Sequence, residues 1–150
     1  PAPNTIHQTI LLNVATPLRI FVREHRLGHV FIAPTDVVLS GYDIVQPDIL
    51  FVRAERRHVV TNANLQGAPD LAIEILSSSN RQYDDVVKLK TYDARGVGEY
   101  WVVDPDRASV KIYRRTPGGG LGIVETPDPL TSPLLPGFRI TLREVFELDL

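Results

Sequence analysis

The residue most able to do chemistry is an acid that lies inside an apolar run. Glu74 stands within LAIEIL, residues 71–76, a run that suits a strand buried on both faces. A carboxylate in that place is strongly disfavoured unless it is protonated, paired or bound to a metal. The local pattern therefore predicts either a metal ligand or a buried acid with an ordinary partner, and it leaves both interpretations open.

A second acid comes just before another apolar segment. Asp48 lies in QPDILFV, at the point where a predicted strand begins. If this strand pairs with the one that contains Glu74, both carboxylates can point to one side and share a hard cation such as Mg²⁺, which prefers oxygen ligands. The alternative is an ordinary Pro-Asp turn, because that dipeptide alone has little specificity.

Four further charged residues are candidates for such a site. Asp70 lies an even number of residues before Glu74 and so shares its strand face, where it could be an outer ligand or could cap the strand. Asp84 and Lys88 lie four residues apart on a predicted helix, whereas Lys90 does not share the face of Lys88. A lysine there could orient the attacking water or stabilise charge on a phosphate. The alternative is a solvated helical ion pair, worth about 0.3–0.5 kcal/mol.

Other catalytic chemistries have no support in the sequence. The absence of cysteine excludes disulfides, thiolate metal sites and a cysteine nucleophile. The 4 histidines form neither an HxH nor an HExxH pattern, which argues against a histidine-zinc site. The serines at 77–79 form no GxSxG elbow, and GGGLG leads into a strand rather than a helix. Neither a serine hydrolase nor a nucleotide-binding loop is therefore indicated.

The elements around these residues combine helical and extended patterns. Apolar residues recur at three- and four-residue steps from His7 to Leu27, which predicts a helix capped at Asn4 or Thr5 and ended at Gly28. Pro17 is expected to kink this helix or to mark a restart. The remaining predictions are strands over residues 29–32, 36–39, 45–52, 71–76, 99–103, 110–114 and near 123–124, helices over 81–95 and 142–146, and a polar loop over 53–68 with or without one short helical turn.

This order predicts an α/β layer arrangement with a mixed sheet in a single domain over residues 1–150. With 43% hydrophobic and 23% charged residues, the composition is that of an ordinary globular protein. No apolar run approaches the ~20 residues that span a membrane, so we expect no membrane partner and a cytoplasmic location. The net charge of −2 argues against tight nonspecific binding to nucleic acid without excluding it. Because the chain begins Pro-Ala-Pro without methionine, we expect its native N-terminal segment to be missing.

Four stretches together resemble a known family. They read QPDILFV, GAPDLAIEILSSS, YDDVVKLKTYDARGVGEYWVVDP and LLPGFRITLREVF. They are similar to bacterial restriction-endonuclease-like proteins of the PD-(D/E)xK nuclease superfamily, over almost the whole chain. The resemblance implies a restriction-endonuclease-like core, with a mixed β-sheet flanked by helices. It also implies hydrolysis of phosphodiester bonds in DNA with Mg²⁺ or Mn²⁺ as cofactor.

The resemblance also assigns residues to roles. Asp48 matches the Pro-Asp acid and Glu74 the second acid, and both would bind the metal together with the backbone carbonyl of Ile75. The superfamily's lysine would stand at the position of Leu76. In this chain the matching lysine is instead Lys88, in the helix that follows.

Two rival functions stay open at this point. The first is a nuclease-fold protein that has lost catalysis and serves as a binding or structural module, which the displaced lysine and the mild acidity favour. The second is an unrelated metal-dependent hydrolase or small-ligand protein that uses the same carboxylates. A homodimer is a further hypothesis, since nucleases that cut both strands often work as dimers and the hairpin Tyr100–Arg114 could offer a sheet edge for it.

Overall fold

The computed structural model describes residues 4–77, 81–124 and 128–149, and within α2 it does not describe the side chains of residues 81–85. The helices are α1 (Thr5–Glu24), α2 (Arg81–Ala94) and α3 (Leu142–Phe146), and one 3₁₀-helix covers Ala54–Val59. The strands are β1 (Gly28–Ile32), β2 (Val37–Val38), β3 (Ile44–Val45), β4 (Ile49–Arg53), β5 (Leu65–Gln66), β6 (Leu71–Ile75), β7 (Glu99–Asp104), β8 (Ser109–Arg115) and β9 (Leu121–Val124).

A six-stranded mixed sheet forms the centre of the molecule, with strand order β1-β4-β6-β7-β8-β9. Strands β6 and β7 are parallel, and the other neighbouring pairs are antiparallel. A parallel pair needs a crossover connection, and α2 lies in the segment that joins β6 to β7. A smaller sheet has the order β3-β2-β5. The predicted mixed α/β fold is therefore confirmed.

Helix α1 covers one face of the large sheet. The side chain of Asn4 caps it by accepting a hydrogen bond from the His7 backbone N–H at 2.8 Å. The helix continues through Pro17 without a break, so the predicted restart does not occur. Its buried residues pack against the alternate residues of β4, β6 and β7 that point to the same side. These buried contacts fix where the first turn of α1 lies relative to the sheet.

The opposite face of the large sheet carries two smaller apolar clusters. One lies beneath the small sheet and consists of Val37, Leu50, Val52, Val59 and Leu65. The other lies beneath α2 and consists of Ala72, Tyr92, Val97, Tyr100 and Val102. Since side chains alternate along a strand, Glu74 lies on the same face as Ala72, the face that α2 covers.

Glycine is required where α1 turns into β1. The φ angle of Gly28 is +154°, and a Cβ atom at this position would lie 2.0 Å from the carbonyl oxygen of Val52. The backbone of the two paired strands approaches too closely there for any other residue. The glycine predicted to end the helix thus begins the first strand.

Most predicted elements are found, but three differ. The predicted strand over 45–52 is two strands: Val45 belongs to β3 of the small sheet, and β4 begins only after Pro47 and Asp48. The polar loop over 53–68 contains the 3₁₀-helix, which agrees with the predicted short helical turn, and also β5, which was not predicted. Neither strand of the hairpin Tyr100–Arg114 is at an edge, because β7 pairs with β6 and β8 pairs with β9.

The placement of that hairpin removes the predicted two-fold interface, since β1 and β9 are the outer strands of the large sheet. A homodimer formed by another surface stays a prediction. No helix within the described ranges is both long enough and apolar enough to cross a membrane.

Candidate active site

The pairing of β4 with β6 brings the two predicted acids together. The strands are antiparallel, with Ile49 opposite Ile73. Asp48 immediately precedes Ile49 and Glu74 immediately follows Ile73, so the register places the two acids side by side at one end of the sheet. Ala33 extends this end, because its backbone N–H donates to the Asp48 carbonyl oxygen at 3.0 Å.

Each carboxylate oxygen of Asp48 has a neighbour. Oδ2 accepts a hydrogen bond from the backbone N–H of Ile75 at 2.7 Å. Oδ1 lies 3.3 Å from Nε2 of His7, in the first turn of α1. The side chain of Asp48 is 19% exposed, which leaves a path from solvent to the carboxylate.

Glu74 is held by two residues of α2. The residue is 4% exposed, and its Oε2 forms an ion pair with Nζ of Lys88. Its Oε1 accepts a longer hydrogen bond, of 3.4 Å, from the hydroxyl of Tyr92. Lys88 and Tyr92 can serve one carboxylate because residues four apart lie on the same face of a helix.

Burial sets the protonation of Glu74. It raises the pKa of this carboxyl from 4.5 to about 7, and the neighbouring Lys88 ammonium opposes the rise while the charge of Asp48 adds to it. Burial and the Glu74 carboxylate also raise the pKa of Tyr92 above its usual range. The phenol therefore stays protonated and acts as a hydrogen-bond donor.

Two other candidate residues, Lys90 and Asp84, belong to α2. Lys90 is on α2 and is exposed to solvent. Asp84 is in α2, but its side chain lies outside the described part of the structure. Of the two candidate lysines, Lys88 is the one that contacts a predicted acid among the described side chains.

Asp70 is at the wrong end of β6 to be an outer ligand. Four residues separate it from Glu74, which corresponds to about 13 Å along a strand. Its Oδ2 accepts hydrogen bonds from the Arg53 backbone N–H at 2.8 Å and from the Arg56 guanidinium at 3.0 Å. The expectation that Asp70 is an outer metal ligand is therefore wrong. Its contacts support the alternative that it caps the strand.

Sequence reasoning missed His7 and Tyr92. The spacing of Tyr92 from Lys88 places both residues on one helix face, but nothing in the sequence indicates that this face meets Glu74. His7 gave no comparable signal, because its approach to Asp48 depends on how α1 packs across the sheet. Asn4 caps α1 three residues before His7 and so fixes the first turn of the helix. The sequence does not show which residue of the sheet this turn faces.

The donor chemistry of the site fits a hard divalent cation. Two carboxylates lie side by side, one of them buried, and the charge of Asp48 raises the electrostatic cost of ionising Glu74, which a cation would offset. Oxygen ligands of this type suit Mg²⁺ and Mn²⁺, and Mg²⁺ usually keeps several waters. Among the described side chains, which exclude residues 81–85, no group of three His, Asp or Glu residues is placed to hold a metal.

These features define a class of protein: a restriction-endonuclease-like fold with two acids on adjoining strands and a lysine from the next helix. The chain belongs to the Uma2 family, described as "Putative restriction endonuclease", which it matches over residues 1–143. This membership supports a nuclease-type function.

A solved structure has the same fold. It is a putative nuclease belonging to DUF820 from Anabaena variabilis, with a TM-score of 0.79 and 23% sequence identity. The alignment covers 97% of this chain and 83% of that one. None of the curated proteins compared with the chain is similar to it.

Proposed function

We propose that this protein is a nuclease that hydrolyses phosphodiester bonds in DNA with Mg²⁺ or Mn²⁺ as cofactor. The observation that carries the proposal is the juxtaposition of Asp48 and Glu74 at one end of the sheet, with the ammonium group of Lys88 against Glu74. This chemistry requires two acidic side chains and a positively charged side chain. The description of the Uma2 family as restriction endonucleases supports DNA as the substrate.

Asp48 and Glu74 would hold the metal, with the Ile75 backbone carbonyl as a further ligand. When bound, the ion would polarise the phosphate and lower the pKa of a coordinated water. The hydrogen bond from the Ile75 N–H fixes the Asp48 carboxylate before any ligand arrives. Tyr92 does the same for Glu74 through Oε1. The protein thus positions both acids in advance, which avoids reorganisation during the reaction.

Lys88 would stabilise the negative charge that develops on the phosphate. Its side chain is 37% exposed, so the lysine is partly accessible from solvent while it pairs with Glu74. A phosphate bound beside the two carboxylates would lie within reach of this group. The buried surroundings of Glu74 lower the local dielectric constant, which strengthens the interaction of the ammonium with the developing charge.

Calorimetric titration with Mn²⁺ and Mg²⁺ tests the metal site. We expect the parent chain to bind and Glu74→Gln to lose binding while its circular dichroism spectrum stays unchanged. Glu55→Gln is the matched control, because Glu55 is an exposed acid at the opposite end of β4. Equal binding by the parent and Glu74→Gln would exclude Glu74 as a ligand.

Cleavage assays with the same variants test the reaction. Supercoiled plasmid, linear duplex and an RNA of the same sequence would be incubated with the parent chain and Mn²⁺. Metal-dependent cleavage of DNA that Glu74→Gln abolishes would support the proposal. Metal binding without cleavage of any substrate would favour the alternative of a catalytically inactive nuclease-fold binding module.

A further inference from the structure

His7 is a polar residue whose side chain is largely buried at the start of the α1 face that packs on the sheet. Its side chain is only 12% exposed, and the next residues of α1 that face the sheet, Ile10 and Leu11, belong to the main core. Nδ1 of the ring is buried and has no hydrogen-bond partner among the described residues. Nε2 lies 3.3 Å from Oδ1 of Asp48.

A purely structural role would not select histidine at this position. A buried nitrogen without a partner destabilises the folded state, and an apolar side chain of similar size would remove that penalty. The contact with Asp48 is therefore the feature that distinguishes histidine from leucine here. Since a carboxylate oxygen can only accept, the facing Nε2 is expected to carry the proton.

The His7 ring and the Asp48 carboxylate are each held in position by other contacts. Asn4 accepts the His7 backbone N–H at 2.8 Å and so fixes the first turn of α1. The packing of α1 against the sheet then sets the distance from this turn to Asp48. On the other side, the Ile75 N–H fixes Oδ2 of the same carboxylate at 2.7 Å.

We propose that His7 is a positioning residue of the active site, which orients the Asp48 carboxylate through Nε2 so that Asp48 binds the divalent cation. Groups that orient a metal ligand typically change metal affinity about 10- to 100-fold when they are removed. This inference rests on the proposed function for its metal-binding consequence. Its first test uses the metal-free protein, so that failure of the two proposals can be told apart.

The metal-free test is nuclear magnetic resonance of the chain in EDTA. We expect the ¹⁵N signals of His7 to show a protonated Nε2 and a bare Nδ1. The amide signal of Ile75 reports on the other oxygen of Asp48, so His7→Leu should shift it while His7→Gln, which keeps a polar nitrogen, shifts it less. His58→Leu, at an exposed histidine, is the control and should leave it unchanged.

The second test measures Mn²⁺ affinity and thermal unfolding of the same variants. We expect His7→Leu to unfold at the same temperature as the parent or higher, yet to bind Mn²⁺ at least 10-fold more weakly, about the lower limit for a group that orients a ligand. His7→Gln should recover most of that affinity. A merely structural role would instead lower the unfolding temperature of His7→Leu.

The outcomes separate cleanly. An unshifted Ile75 amide in His7→Leu, or equal loss of affinity in the leucine and glutamine variants, would overturn the proposal. If the parent binds no Mn²⁺, the proposed function fails, and the Ile75 amide and the His7 tautomer still decide whether His7 orients Asp48.

Discussion

Ile75 donates its backbone N–H to Oδ2 of Asp48 at 2.7 Å, and Ile75 directly follows Glu74 in the chain. The carboxylate of one acid is therefore bound to the backbone that carries the other. Because β4 and β6 are paired just beside this point, the relative position of the two acids is set by the sheet and not by free side-chain rotation. Such rigid support is what precise positioning of a catalytic pair requires.

Lys88→Met separates charge stabilisation from metal binding. The variant keeps the length of the side chain but removes the ammonium that pairs with Glu74. We expect the DNA cleavage rate to fall about 10²- to 10³-fold, as for the loss of another group that stabilises developing charge. Mn²⁺ affinity should be unchanged or higher, since a competing cation has been removed. Steady-state cleavage and calorimetry would measure the two effects.

Lys90→Met is the matched control for that experiment, because Lys90 is exposed on the same helix. It should leave both the rate and the affinity close to those of the parent. Equal losses in the two lysine variants would contradict a specific role for Lys88 and indicate a general effect of charge.

The raised pKa of Glu74 predicts how stability depends on pH without metal. The folded chain binds this proton more tightly than the unfolded chain, because burial raises the pKa from 4.5 to about 7. The contribution of Glu74 to the free energy of unfolding is thus fully present below about pH 4.5 and is lost as the pH rises through about 7. Urea unfolding in EDTA should show this fall in the parent.

Glu74→Gln removes the titrating group and should show a shallower fall over the same pH range. Parallel pH profiles for the parent and the variant would contradict the assignment. Excess Mn²⁺ should stabilise the parent more above the raised pKa than below it, because protons compete with the metal for the carboxylate.

Asp70→Asn distinguishes a strand cap from a metal ligand. Asp70 is 12% exposed on its side chain and accepts from both Arg53 and Arg56. Removing its charge weakens these bonds, so we expect a loss of about 1–3 kcal/mol in the free energy of unfolding. Mn²⁺ affinity should not change. A large drop in affinity in a folded Asp70→Asn protein would restore Asp70 as a ligand.

Local patterns in the sequence were sufficient for most of the elements. Helix α3 has the predicted bounds, Leu142–Phe146, because its capping residue Thr141 and its partner Glu144 lie three apart in the sequence. The apolar run around Glu74 was correctly interpreted as a buried strand. Such features depend on neighbours within a few residues, which the sequence displays directly.

Long-range placement could not be derived in the same way. Asp48 and Glu74 lie on one side of the sheet because of the register in which β4 pairs with β6. A one-residue slip in that register would move one of the two acids to the other face. His7 reaches Asp48 only because α1 packs across the sheet at one particular position. Asp70 lies just before β6, and the length of that strand separates it from Glu74; alternation alone carries no information about that distance.

Arg115→Lys tests whether the end of α2 must be held for the site to stay intact. From β8, the guanidinium donates to the carbonyl oxygens of Tyr92, Asp93 and Val97 at 2.8–3.3 Å, and to the Asp93 carboxylate at 2.8 Å. Lysine has one ammonium group and cannot reproduce this fork, so several carbonyls would lose their donor. We expect a loss of about 1–3 kcal/mol in urea unfolding. Hydrogen exchange should also accelerate in the last turn of α2.

The control for this variant is Arg95→Lys, since Arg95 forms an ion pair with Asp43 at the surface and is 44% exposed. Such pairs contribute about 0–1 kcal/mol, so its unfolding should differ little from that of the parent. Tyr92 is both a carbonyl partner of Arg115 and the donor to Glu74. Loosening the end of α2 should therefore weaken Mn²⁺ binding in Arg115→Lys and not in Arg95→Lys. If Arg115→Lys is less stable than the parent but binds Mn²⁺ with the same affinity, the contacts of Arg115 with α2 serve stability alone.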